Sequence, residues 1–122
     1  MQAHLQIAAT LERYFDGIYR SDVAQLASVF HPAATLFADV KGVQSVKPVQ
    51  QYLEAVRTRT SPQANGEERT MTVITTEVLG NVALAKTHCR MLGFNYYDFL
   101  SLLHLDGEWQ IVCKVFTHVE PD

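Results

Sequence analysis

FLSLLHLDGEWQIVCKVF, Phe99 to Phe116, is the stretch that decides the fold. Two apolar runs of strand composition flank Asp106-Gly107, and an Asp-Gly pair between such runs marks a tight hairpin, because both central residues take positive φ. Setting Leu105 opposite Glu108 pairs His104 with Trp109, Leu102 with Ile111, Leu100 with Cys113 and Asp98 with Val115 on one face of the sheet. The other face carries Leu103, Ser101, Phe99 and Tyr97 against Gln110, Val112, Lys114 and Phe116. Both faces are largely apolar. The hairpin is therefore expected at the centre of its sheet, covered by helices on one side and by a second subunit on the other.

Working outward, Thr70 to Leu79 and Val82 to Leu92 form a second hairpin around Gly80-Asn81, with Ile74, Thr76 and Val78 facing Thr87, Ala85 and Ala83 on its core face. Thr60 to Glu68, TSPQANGEE, is a solvent-exposed loop. Before it, Pro48 suits the first turn of a helix whose apolar side is Val49, Tyr52, Leu53 and Val56. Ala34 to Val40 is a first strand, broken by Lys41-Gly42, and Val43 to Val46 pairs back on it. Ala3 to Tyr19 has helical periodicity, with Ile7, Leu11, Tyr14, Phe15 and Ile18 on one stripe and Gly17 weakening its end. Ser21 is placed to cap a second, short helix, which His31-Pro32 stops and His31 caps. Helices segregated from a run of antiparallel strands define an α+β domain in which a strongly curved antiparallel sheet wraps around three N-terminal helices.

At 122 residues the chain is one domain, 1–122, large enough to bury a core without metal or disulfide staples. A formal net charge of -3, with no cluster of Lys or Arg, argues against a nucleic-acid surface. No apolar run approaches membrane-spanning length. Cys89 and Cys113 fit no zinc spacing, and Met1 to Thr10 is not a charged-then-apolar leader, so a cytoplasmic chain with reduced thiols is expected. There is no Gly-x-Ser-x-Gly, phosphate-binding glycine loop or dinucleotide fingerprint, and neither a cofactor nor a metal is expected.

Two stretches, YFDGIYRSDVAQLASVFHPAATL (Tyr14 to Leu36) and YDFLSLLHLDGEWQIVCKVFTHV (Tyr97 to Val119), resemble the "putative lumazine-binding" family of the nuclear transport factor 2-like, or cystatin-like α+β cone, superfamily. The specific parts are the Gly-x-Tyr-x-x-Asp and Phe-His-Pro run at Gly17 to Pro32, and the Asp-x-x-Ser-Leu-Leu, Asp-Gly-x-Trp and Lys-Val-Phe run at Asp98 to Phe116. Cys113 departs from the pattern, which has a polar residue there. The resemblance implies a cone whose open end leads to an apolar pocket between helices and concave sheet, and a homodimer formed through the outer face. Its relatives include isomerase-like, cyclase-like and dehydratase-like enzymes as well as non-catalytic modules, so fold alone does not settle function.

Asp98 is the foremost candidate for chemistry, because the register sets its carboxyl among Leu100, Leu102, Trp109 and Ile111. Apolar surroundings favour the protonated carboxyl, which can donate to a developing enolate. The structural alternative is a carboxylate paired at the strand's start, for example with Arg90. Asp39 ends the first strand near where ketosteroid isomerase-like proteins place their proton-abstracting acid, but just before Lys41-Gly42 it also fits a turn. Tyr14, on the helix stripe, is either a donor to a ligand oxygen or amphipathic packing.

The expected pocket is lined by Phe15, Ile18 and Tyr19 of the first helix and by Leu100, Leu102, Trp109, Ile111 and Cys113 of the hairpin. Its occupant is expected to be a small apolar or aromatic ligand. Three functions follow from different geometries. A binding domain needs a cavity with Asp98 as anchor; a cofactor-independent lyase or isomerase needs Asp39, Asp98 and Tyr14 to converge; a dimerisation module needs neither. The expected dimer surface is Phe99, Ser101, Leu103, Val112, Lys114 and Phe116.

Overall fold

The computed structural model describes residues 2–121. Helices α1 (Gln2–Arg20) and α2 (Val23–Val29) lead into strands β1 (Phe30–Val40) and β2 (Val43–Pro48), then helix α3 (Val49–Thr58) and strands β3 (Thr70–Leu79), β4 (Val82–Met91), β5 (Phe94–Leu105) and β6 (Glu108–Val119). The six strands form one curved sheet in the order β2-β1-β6-β5-β4-β3, so the β5–β6 hairpin is central, as its two apolar faces require. Asp106 and Gly107, at φ 50° and 82°, make its turn. All neighbours are antiparallel except β1 and β6, which run parallel. The sequence pattern did not reveal that mixed pairing, because chain order says nothing about which strand closes against the last.

Helix α1 lays Ile7, Leu11, Tyr14, Phe15 and Ile18 on the concave side of the sheet, and α3 adds Val49, Tyr52 and Val56. Asp22 caps α2, accepting a hydrogen bond from the Gln25 N–H at 3.1 Å, one residue beyond the expected Ser21. β1 starts directly at Phe30, four residues earlier than expected. Pro32 has no N–H to give to the ladder, and the β1–β6 register slips between Phe30 and Thr35. His31 does not cap α2; its Nδ1 accepts the Ala33 N–H at 2.9 Å, folding back over this irregularity.

A second irregularity has larger consequences. Leu102 pairs with Ile111 as expected, but Ser101 then pairs with Cys113, Leu100 with Lys114, Phe99 with Val115 and Asp98 with Phe116. Val112 is an extra residue, a β-bulge, and every side chain beyond it changes face. Lys114, expected on the outer surface, is buried on the concave side at 4% exposure. Phe116 also turns inward to pack on the core, Val115 points out at 46% exposure, and Cys113 leaves the inner face to lie beside Ser101. Ile74 makes a comparable bulge in β3, so Val73 rather than Ile74 pairs with Thr87.

Gly17 is explained by packing, not by helix termination. A Cβ there would stand 2.8 Å from Cγ of the fully buried Leu26, so the glycine lets α2 close on α1. Gly17→Ala adds helix propensity worth about 1 kcal/mol but overpacks a buried contact at about 1–3 kcal/mol. Urea denaturation is expected to show a net destabilisation; a more stable variant would contradict the close approach.

Candidate functional site

The bulge brings together a polar set that sits inside the cone. Asp98, on β5 with 2% exposure, accepts from the Tyr14 hydroxyl at 2.5 Å and from Thr87 Oγ1 at 3.2 Å, both through Oδ2. The Tyr14 bond has the length of a charge-assisted hydrogen bond. Asp98 Oδ1 is buried and has no hydrogen-bond partner among the described residues. Lys114, diagonal to it across the hairpin, places Nζ 3.4 Å from the Tyr52 hydroxyl. The ammonium lies over three rings, 4.5 Å from the centroid of Tyr52, 4.7 Å from Phe116 and 5.4 Å from Tyr14. Phe30 links Tyr14 and Tyr52 through edge-on contacts of 6.0 and 5.9 Å.

Electrostatics follow from this burial. Desolvation, then the Asp98 charge, pushes the Tyr14 hydroxyl well above its ordinary value, so Tyr14 keeps its proton and donates it to the carboxylate. Burial alone would pull the Lys114 ammonium down. Asp98, Tyr52 and Cys89 together outweigh it, and the net direction is upward. Cys89, on the same face in β4, has its thiol pushed up to about 12, first by burial and then by Asp98. An ammonium and a carboxyl therefore share a water-poor interior with donors and acceptors to spare.

The other expected site residues are distributed differently. Tyr14 and Asp98 meet; Phe15, Ile18, Leu100, Leu102 and Ile111 are core residues closed to solvent. Trp109, on β6, pairs with His104 at the other end of the hairpin, roughly 20 Å along the strand from Asp98 at 3.4 Å per residue. Its indole N–H donates to Gln6 Oε1 at 3.2 Å. The Tyr19 hydroxyl is committed to the Glu67 carbonyl at 2.7 Å and ties the 59–69 loop to α1. Asp39 stands on the outer face with Phe37. Its Oδ1 accepts the Gly42 N–H at 3.0 Å and its Oδ2 accepts from Gln44 Nε2 at 3.1 Å, so it is occupied at the β1–β2 turn and does not converge with Asp98. Among the described residues no three His, Cys, Asp or Glu side chains gather at metal-ligand spacing. Lys114, Thr87, Tyr52 and Cys89 were missed by the sequence reading. A lone lysine inside the apolar run from Ile111 to Phe116 was the available signal.

A helix-lined cone with a polar set on the concave face of a six-stranded sheet is the architecture of the NTF2-like, or cystatin-like, α+β proteins. The family model described as "Putative lumazine-binding" matches residues 2–117, and the chain belongs to that family. Among solved structures it is similar to an NTF2-like protein of unknown function from Shewanella baltica OS155, at 24% identity over 98% of this chain and 96% of that one, TM-score 0.88. It is also similar to one from Methylobacillus flagellatus KT, at 22% identity over 98% and 94%, TM-score 0.87. A cystatin-like fold protein from Burkholderia xenovorans LB400 aligns at 12% identity over 97% and 92%, TM-score 0.74. No functionally curated protein matches the sequence significantly.

Two outcomes are expected. Lys114→Met should cost about 2 kcal/mol by taking the desolvated ammonium away from three aromatic faces, and Asp98→Asn combined with Lys114→Met should cost less than the sum by roughly 0.5 kcal/mol or more, since the two charges share one interior; strict additivity in urea denaturation would deny the coupling. Cys89, Tyr14 and Lys114 all hold protons more tightly when folded, so their contribution is complete below their unfolded values and is lost as pH rises through the folded ones. Unfolding free energy should fall above pH 9.0, where the free thiol titrates, and continue to about 12. The slope is about 1.4 kcal/mol per pH unit for each group. Cys89→Ala should remove its earliest part, and an unchanged profile would refute the assignment.

Proposed function

We propose that this chain is a small-molecule-binding domain whose ligand enters the cone and is anchored by Asp98 and Lys114. One observation carries the reading: Asp98 Oδ1 is buried without a partner, while the Lys114 ammonium, diagonal to Asp98 across the hairpin, makes one long hydrogen bond out of three it can donate. Buried polar atoms are almost always satisfied, and an unused acceptor beside unused donors matches a ligand that supplies both. A flat heterocycle with an N–H flanked by carbonyl groups has that pattern, the N–H for Asp98 and a carbonyl for Lys114. Aromatic rings around the pair suit such a planar ligand. The family description supports the same class.

The lyase or isomerase alternative needs a second acid in the same interior. Asp39 is on the far face of the sheet, which favours binding over proton abstraction by an Asp39/Asp98 pair. The protein is further read as a cytoplasmic homodimer, with Cys89 and Cys113 as free thiols. No helix among the described residues is long and apolar enough to cross a membrane. The dimer reading is supported by a two-sided apolar hairpin whose outer face exposes Phe99, Val115 and, on the neighbouring strands, Phe37 and Leu84. With Lys114 and Phe116 turned inward, Val115 takes their place in the proposed interface.

Calorimetric titration with lumazine and uncharged flat heterocycles is expected to give saturable binding, weakened at least tenfold, or about 1.4 kcal/mol, by Asp98→Asn. Wild-type affinity in that variant would remove Asp98 as the anchor. Val115→Lys is expected to sediment as a monomer; a dimer unchanged by that charge would place the interface elsewhere.

A further inference from the structure

A cavity of about 520 Å³ opens at the end of the sheet where β4 turns into β5, and that volume suits a small molecule. Its apolar lining is Met91, at 5% exposure, together with Phe94. Thr70 and Arg90, which pair in the β3–β4 register, line it as well, and they share it with Glu67 and Glu68 of the loop before β3. Gly93 leaves its rim open, since a Cβ there would meet nothing within 4 Å. Asp98 lies four residues beyond Phe94 on β5, about 14 Å at 3.4 Å per residue. The cavity and the interior pair have no residue in common.

The loop wall is braced before any ligand arrives. Glu67 donates its N–H to the Pro62 carbonyl at 3.0 Å, and its own carbonyl accepts from the Tyr19 hydroxyl at 2.7 Å. Its Oε1 accepts the Leu92 N–H at 2.8 Å and its Oε2 accepts from Asn65 Nδ2 at 2.7 Å. Those bonds hold the Glu67 carboxylate to the loop and the β4–β5 turn instead of letting it swing to Arg90. Arg69, next in the chain, pairs with Glu12 on α1 and fastens the same loop from its other side. A wall fixed in this way costs a ligand little ordering entropy.

Two charges on the cavity are unspent. Arg20, Arg57 and Arg69 each meet a carboxylate, whereas among the described residues neither Arg90 nor Glu68 has a side-chain hydrogen bond or an ion pair. They carry opposite signs, line one cavity and do not touch each other. A molecule that bridges them needs an anionic and a cationic group, with an apolar part for Met91 and Phe94. A plain anion is opposed by two carboxylates, and a plain cation by the guanidinium.

We propose that this cavity binds a zwitterionic amino acid with an apolar side chain, its carboxylate on the Arg90 guanidinium, its ammonium on Glu68 and its side chain against Met91 and Phe94. Arginine suits the role because its planar fork can hold both oxygens of a carboxylate. Thr70, in register with Arg90, adds a hydroxyl on the same side. The site is separate from the Asp98–Lys114 anchor and does not depend on it.

The test is an NMR titration of the isotope-labelled full-length chain with L-phenylalanine, following the Arg90 Nε–H and the Gly93 N–H. N-acetyl-L-phenylalanine, which lacks the ammonium, and phenylalaninamide, which lacks the carboxylate, serve as comparisons. L-phenylalanine is expected to shift both signals saturably, and each comparison compound to bind more weakly by at least about fivefold. Arg90→Gln and Glu68→Gln are expected to lose a similar factor; both side chains are exposed, so neither substitution threatens the fold. Equal affinity for the three compounds, wild-type binding by Arg90→Gln, no saturable response at Gly93, or shifts centred on Tyr14 and Thr87 in the interior would each overturn the proposal.

Discussion

A lysine and an aspartate held out of water inside one curved sheet set the terms for everything around them. Each charge loses its hydration, a cost of several kcal/mol per ion even after relaxation, and the protein must return it through local partners. Asp98 receives two hydroxyls on one oxygen, and Lys114 receives three aromatic faces and a phenol oxygen. The single extra residue at Val112 makes this possible, because it turns Lys114 from the outer face to the inner one. Helix α1 is then bound to the sheet by more than apolar contact, through the Tyr14 hydroxyl.

The arrangement is incomplete as a purely structural device. A carboxylate kept for stability would be expected to satisfy both of its oxygens, and well-packed apolar residues of the same volume would serve a core at least as well. Strained or unsatisfied groups tend to persist where function needs them. Asp98 Oδ1 is left where a ligand can supply the missing bond, and the apolar core around Leu100, Leu102 and Ile111 supplies the low dielectric that makes such a bond discriminating.

Much of the architecture was legible in the residues. Asp106-Gly107 placed the central hairpin, helical spacing placed Tyr14 on the buried stripe, and the pairing near the turn put Asp98 on the face of Leu100 and Leu102. Register held only as far as Ile111. A bulge has no composition of its own here, since Ile111 to Cys113 reads as uninterrupted strand, and alternation carried past it assigns Lys114, Cys113, Val115 and Phe116 to the wrong sides. The parallel β1–β6 contact and the Tyr14–Asp98 hydrogen bond join segments far apart in the chain, which local periodicity does not encode. The Asp39 turn was readable from Lys41-Gly42, whereas its separation from Asp98 required the three-dimensional sheet.

The central claim is that Asp98 and Lys114 anchor a ligand. A crystal structure of the full chain grown with lumazine tests it most directly. The account predicts planar density with a donor within hydrogen-bond distance of Asp98 Oδ1 and an acceptor on Lys114 Nζ. Lys114 bonded straight to Asp98 Oδ1, with side chains filling the interior and no ligand density between them, would contradict it.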